Sequence, residues 1–323
     1  MIKDLISGGV IVNYLCTSRC GHCLYNCSPK RSNRYMDEST AQWCFSTLAS
    51  RGVGAVHIGG GEPMLYPEKL AFVLEEAAKA GVMIEYVETN SSWYKDEVSA
   101  CLILEVLREK GLTTLLISIS PFHVAYIPFC KTLGVMAACE KAGIRILPWM
   151  DTFFRDLLSL DHDNTHGPDD MAEYFGPDWL EDVMQRYWIH MGGRALKTFR
   201  PIYTKKDAAQ IVKENIDGCG NQLLDTSHFH VDLYKNYIPG LCSGLALEMN
   251  DIGQSLSKNK YPLFQLLLEK GISGLFGLAS DSGFLPSDQG YISKCDLCTD
   301  IRKFFVSTDL YEKELQPKGF YTD

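Results

Sequence analysis

No stretch of the 323 residues approaches the roughly 18 uninterrupted apolar residues that a membrane span needs. The opening run, MIKDLISGGVIVNYLC, has too short an apolar core and no small-residue cleavage site, so it does not read as a secretory signal. A basic excess is lacking as well. Lys and Arg number 31 against 40 Asp and Glu, a formal charge of −9 with no long basic run, which argues against a nucleic-acid partner. These absences predict a cytoplasmic chain with no membrane partner. With 46% hydrophobic residues it is long enough for one large domain with an appendage, or for two. What the sequence has in quantity is cysteine. In a reducing compartment its twelve thiols serve as metal ligands, redox groups or core residues rather than disulfides.

Four of the twelve crowd into NYLCTSRCGHCLYNCSP, directly behind the strand-like run GVIVNYL. A helical pattern, DESTAQWCFSTLASRG, follows and closes at Gly52. The unit then repeats: VGAVHIGG, VMIEYVETN, LTTLLISIS and GIRILPWM read as strands, and helices ending at Gly81, Gly111 and Gly143 separate them. Five strands alternating with helices at this spacing predict right-handed crossovers and a parallel sheet, either a barrel or a doubly wound sheet. In both, chemistry gathers beyond the carboxyl ends of the strands. Those ends are polar. Cys16, Cys20 and Cys23 follow the first strand, and Gly59, Gly60, Gly61, Glu62 and Pro63 the second. Glu88, Thr89 and Asn90 end the third, with Ser118, Ser120 and His123 at the fourth. Singly, such residues are ordinary turn and cap formers. Their occurrence at the same end of successive strands marks the rim as a candidate site.

The motif CTSRCGHC, a C-x3-C-x2-C at Cys16, Cys20 and Cys23, together with GGEP at 60–63, resembles the radical S-adenosylmethionine superfamily. His22 stands where the family often has an aromatic residue. The resemblance covers the first half of the chain and implies a partial (β/α)6 TIM-like barrel. It also implies a [4Fe-4S] cluster on the three thiolates, whose fourth iron is open to S-adenosylmethionine, and an electron donor such as flavodoxin or ferredoxin. Closely spaced thiolates suit such a cluster, and the open iron follows the general logic of catalytic metal sites. By the same resemblance, Gly60 and Gly61 let the backbone approach the methionine portion and Glu62 suits its ammonium. Pro63, Thr89, Asn90, Ser118 and Ser120 complete the expected cofactor contacts. Cys27 forms the reversed spacing C-x2-C-x3-C with Cys20 and Cys23 and is left as a spare thiol.

A second set of cysteines comprises Cys219, Cys242, Cys295 and Cys298. SHFHVDLYKNYIPGLC reads as a hairpin turning at Lys235 and Asn236, and SKCDLCTDIRKFF as a C-x2-C entering a helix. The arrangement resembles the Twitch domain, a shortened SPASM domain, which implies one auxiliary [4Fe-4S] cluster. Four thiolates also suit a structural Zn²⁺. Cys44, Cys101, Cys130 and Cys139 fall on helical patterns and read as small apolar side chains.

The expected division is therefore 1–200 for the barrel and 201–323 for the second cluster domain. RALKTFRPIY is the best sequence for the sixth strand, and the irregular stretch 151–179 for reading the substrate. An auxiliary cluster that accepts an electron implies net oxidation of a small molecule, with Arg194, His123, His190, His228 and His230 as polar contacts. Peptide modification, by thioether or carbon–carbon crosslinking or by epimerisation, is the alternative. The motif begins at residue 16 and leaves no preceding leader-binding domain in this sequence, which weakens that alternative. A redox-neutral enzyme with structural zinc is a further alternative, and a non-catalytic scaffold with two metal centres is the reading from another class.

Overall fold

The computed structural model describes residues 2–322. Its frame is an eight-stranded sheet in the order β5-β4-β3-β2-β1-β6-β7-β8. The first five strands are β1 (Gly8–Ile11), β2 (Ala55–Gly59), β3 (Met83–Thr89), β4 (Thr114–Ser118) and β5 (Arg145–Trp149). Each pairs with the next in parallel. Helices α1 (Glu38–Ser50), α2 (Pro67–Lys79), α3 (Glu97–Glu109), α4 (Pro121–Val124) and α5 (Phe129–Ala142) lie between them. The architecture is α/β with an unclosed, mostly parallel sheet, as the alternating pattern predicts.

Local chemistry sets the element ends. The side chains of Asp37 and Asp96 accept from Thr40 N at 2.8 Å and Ser99 N at 2.9 Å, satisfying donors that α1 and α3 leave open. Gly143 ends α5 at φ 70°, a backbone region that suits glycine. Val56, Ile58, Val87, Leu115 and Ile117 are buried completely, facing Leu48, Val73, Leu104 and Val135 of the helix layer within one core. The alternate residues His57, Tyr86, Glu88, Leu116 and Ser118 point to the other face, because strand side chains alternate. That inner face carries the site.

The sixth parallel strand differs from the expectation. Residues 195–202 are not a strand: Ala195–Thr198 is a helical turn and Arg200–Ile202 a 3₁₀ turn. Pro201 removes a ladder donor there, and the Arg194 guanidinium is held by Cys20 O at 2.8 Å and Cys27 O at 3.0 Å. The sixth strand is β6 (Phe229–Asp232), which pairs in parallel with β1. It also forms the expected hairpin with β7 (Asn236–Ile238), which in turn pairs with β8 (Leu247–Glu248). Lys235 turns the hairpin at φ 68°. Strands from either side of residue 200 thus share one sheet. Among the described residues no helix is long and apolar enough to cross a membrane.

Candidate functional site

Beyond the carboxyl ends of β1–β4 lies a cavity of about 730 Å³. Cys16, Cys20, Cys23, Cys27, Gly60, Gly61, Thr89, Asn90 and Ser118 all reach its wall. Three of the expected contacts do not: Glu62, Pro63 and Ser120 are buried behind it.

The thiol loop is closed on itself. Cys16 N donates to Ser28 O at 3.3 Å, and Cys23 N to Cys20 O at 3.1 Å. The Cys16 sulfur accepts from Ser18 N and from Asn90 Nδ2, both at 3.4 Å, and Cys23 Sγ accepts from Cys27 N at 3.4 Å. N–H donors aimed at sulfur favour the thiolate. Burial opposes it: Cys16 and Cys20 are only 8% and 7% exposed, and desolvation pushes Cys16 up to about 12 and Cys20 well above the usual thiol range. The Cys27 thiol, hydrogen-bonded to Cys23, holds Cys23 below that range, helped by the Arg194 guanidinium. Arg194 was expected to meet a substrate anion; it clamps the loop carbonyls instead.

The glycines serve a packing need. A Cβ on Gly60, at φ 134°, would stand 2.4 Å from Asn13 O, and one on Gly61 2.0 Å from Leu15 O. The loop after β2 therefore presses on the exit of β1, held by Gly61 N donating to Asn13 O at 3.0 Å and Glu62 N to Leu15 O at 2.9 Å. Glu62 accepts from Met64 N at 3.0 Å, Thr89 Oγ1 at 2.9 Å and Asn90 N at 2.6 Å, and burial raises it to about 7. It thereby fixes the end of β3, from which the Asn90 side chain reaches Cys16, Thr17 and Ser18. Pro63 O accepts from Tyr35, and Ser120 Oγ is 2.7 Å from His123 Nδ1. His22 packs between Phe122 and Trp149, with ring centroids 4.8 and 5.0 Å away, and its buried Nδ1 has no hydrogen-bond partner.

No protein-family model and no curated protein matches the chain. Solved structures do align with it. One is BtrN in complex with AdoMet and 2-DOIA, at 14% identity over 84% of this chain and 90% of that one, TM-score 0.47. AnSMEcpe with bound AdoMet aligns at 14% identity over 93% and 96%, TM-score 0.42. Coproporphyrinogen III oxidase (HemN) from Escherichia coli, described as a radical SAM enzyme, aligns at 11% identity over 93% and 90%, TM-score 0.37. At these scores the likenesses decide nothing about activity, and the residues themselves must carry the reading.

The second set of thiols lies apart from this cavity. Cys295 and Cys298 occupy the first turns of the helix Lys294–Ser307, Cys242 follows β7, and Cys219 N donates to Leu267 O at 2.8 Å. Burial raises Cys219 and Cys242, the latter to about 12, and Cys298 adds to both shifts. Cys298 and Cys219 likewise act on the Cys295 thiol. Arg302, one helical turn beyond Cys298, is buried against this set, with Nη1 donating to Ser243 O at 2.9 Å and a buried Nε without a partner. The sequence reading missed it; its place at i+4 from Cys298 was the available signal. The cavity wall also includes 187–190 rather than the stretch 151–179 expected to read the substrate. Cys44 and Cys139 are core side chains, as expected.

Proposed function

We propose that the chain is a radical S-adenosylmethionine oxidoreductase, with residues 1–200 carrying the radical site and 201–323 an auxiliary cluster. The observation that carries this reading is the convergence of three loop thiols, a glycine turn and Asn90 on one cavity at the carboxyl end of a parallel sheet. The donor set fits a [4Fe-4S] cluster. Cys16 and Cys20 are screened from bulk water and Cys23 is half-buried, Cys16 accepts two N–H donors, and the wall opposite is built from polar strand ends. When bound, the cluster supplies an electron from a donor such as flavodoxin or ferredoxin to split S-adenosylmethionine into methionine and a 5′-deoxyadenosyl radical.

The chain's own residues do the rest. Asn90 and Ser18 hold the Cys16 sulfur, Arg194 holds the loop, and Glu62 holds Asn90 in turn. His22, Trp149 and 187–190 shield the cavity. Ser118 offers a hydroxyl to the ribose of the nucleoside, while Thr89, its hydroxyl donated to Glu62, helps fix the wall. A volume of about 730 Å³ lies within the roughly 300–1,000 Å³ of small-molecule sites. It favours a compact polar substrate beside the nucleoside over a long peptide. Cys219, Cys242, Cys295 and Cys298 around buried Arg302 suit an anionic cluster that takes up the electron released by oxidation.

Metal analysis after anaerobic reconstitution tests the assignment. Two cubanes would give about eight irons and eight sulfides per chain. About four irons with a sulfur-ligated zinc would make the C-terminal set structural and the chemistry redox-neutral.

A further inference from the structure

Two imidazoles on the wall of this cavity, His228 and His230, and a third packed against them, His57, are left unused by this chemistry. His57 of β2 and His230 of β6 both lie opposite Gly9 of β1, and His228 precedes His230 by two residues. One ligand atom from each ring lies within 4.8 Å of those of the other two. The Nε2 atoms of His57 and His230 are 3.2 Å apart. Two nitrogens at about 2.1 Å from one ion stand about 3.0 Å apart at a right angle and about 3.4 Å apart at a tetrahedral angle. The observed separation falls between the two.

The approach of the rings is built into the sheet. A Cβ on residue 9 would stand 2.2 Å from His57 Nε2, so only glycine lets the His57 ring lie across β1 toward His230. Outer partners hold the rings: Tyr25 Oη is 2.7 Å from His230 Nδ1, and His57 is hydrogen-bonded to the Gly8 backbone. A partner on the ring nitrogen not facing the ion, as Tyr25 is on His230, is what orients a metal-bound histidine.

We propose that His57, His228 and His230 bind one divalent transition-metal ion of the zinc type, its remaining positions open to the cavity. Imidazole ligands suit that class, and three histidines with an open position form a site able to take an oxygen of a bound molecule. The site does not depend on the iron–sulfur assignment. Without an ion, the same contacts would be a hydrogen-bonded chain from Tyr25 through His230 to His57, and the two arrangements predict different spectra.

The anaerobically reconstituted protein, given zinc chloride and desalted, is analysed for metal content and by zinc K-edge X-ray absorption. One zinc per chain in a shell of nitrogen and oxygen at about 2.0–2.1 Å, with imidazole outer-shell scattering, is expected. His228→Ala, the least buried of the three rings, is expected to weaken zinc binding in calorimetry at least tenfold while iron content and circular dichroism hold. Absence of retained zinc, a shell of sulfur at about 2.3 Å, or unchanged binding by the folded variant would overturn the proposal. The wild-type absorption decides the matter even if the variant does not fold.

Discussion

At the scale of single residues, Asn90 matters most. It directly follows β3, yet its Nδ2 serves the Cys16 sulfur and the Thr17 and Ser18 hydroxyls, 72 to 74 residues earlier in the chain. Asn90→Ala leaves Cys16 with the Ser18 N–H alone and takes a donor from the buried Ser18 hydroxyl, a loss of about 1–3 kcal/mol. Hydrogen bonds to cluster sulfurs help set the potential, and donors to sulfur stabilise the more negative, reduced state. Asn90→Ala should therefore lower the potential of the proposed first cluster, read by potentiometric titration followed by electron paramagnetic resonance. An unchanged potential would remove Asn90 from the site. The sequence identified Asn90 as a rim residue but not its partner, because nothing local to VMIEYVETN encodes a contact with Cys16. The same holds for Arg194 and Arg302, whose carbonyl partners come from distant loops. His228 and His230 carried a readable signal, since residues two apart near a strand share a face; His57 only joined them once β1 was seen to separate β2 from β6.

At the scale of elements, the helix Pro262–Asp281 shows how distant residues finish local structure. Its N-cap Tyr261 gives the helix no side-chain cap; Glu314 accepts from Leu263 N at 3.0 Å and Phe264 N at 2.6 Å instead. Burial nevertheless raises Glu314 to about 7, against its two N–H donors. The folded chain then holds this proton more tightly than the unfolded one, so the contribution of Glu314 to stability falls as pH rises from about 4.5 to about 7 and is flat above. Glu314→Gln should remove that slope, on the order of 1–3 kcal/mol, in denaturant midpoints measured from pH 5 to 8. Equal slopes in the two proteins would contradict it. The elements that the sequence revealed best are β1 to β5 and their helices, where apolar period and helix-ending glycines agree. The hairpin of β6 and β7 was readable from its alternation and turn. Its parallel pairing with β1 was not, because that contact spans more than 200 residues and leaves no periodic trace. The helical turn at 195–198 was mistaken for a strand for a related reason: Arg194 is anchored on carbonyls of the thiol loop, and Pro201 follows too closely for a ladder.

At the scale of the whole molecule, one sheet joins the two thiol sets. The β1 strand that leads into Cys16 is hydrogen-bonded on one side to β2, which leads into Gly60, and on the other to β6, whose hairpin leads into Cys242. The proposed radical site and electron acceptor are thus held by neighbouring strands, an arrangement suited to oxidation in which an electron leaves the cavity after a hydrogen atom is removed. The central claim is that Cys16, Cys20 and Cys23 support reductive cleavage of S-adenosylmethionine. The most direct measurement is 5′-deoxyadenosine formed by the reconstituted protein under dithionite, compared with Cys16→Ala, Cys20→Ala, Cys23→Ala and Cys298→Ala. Product from the wild type and from Cys298→Ala, with none from the first three variants, is the predicted result. 5′-Deoxyadenosine from any of those three at the wild-type rate, or none from the reconstituted wild type, would contradict the account.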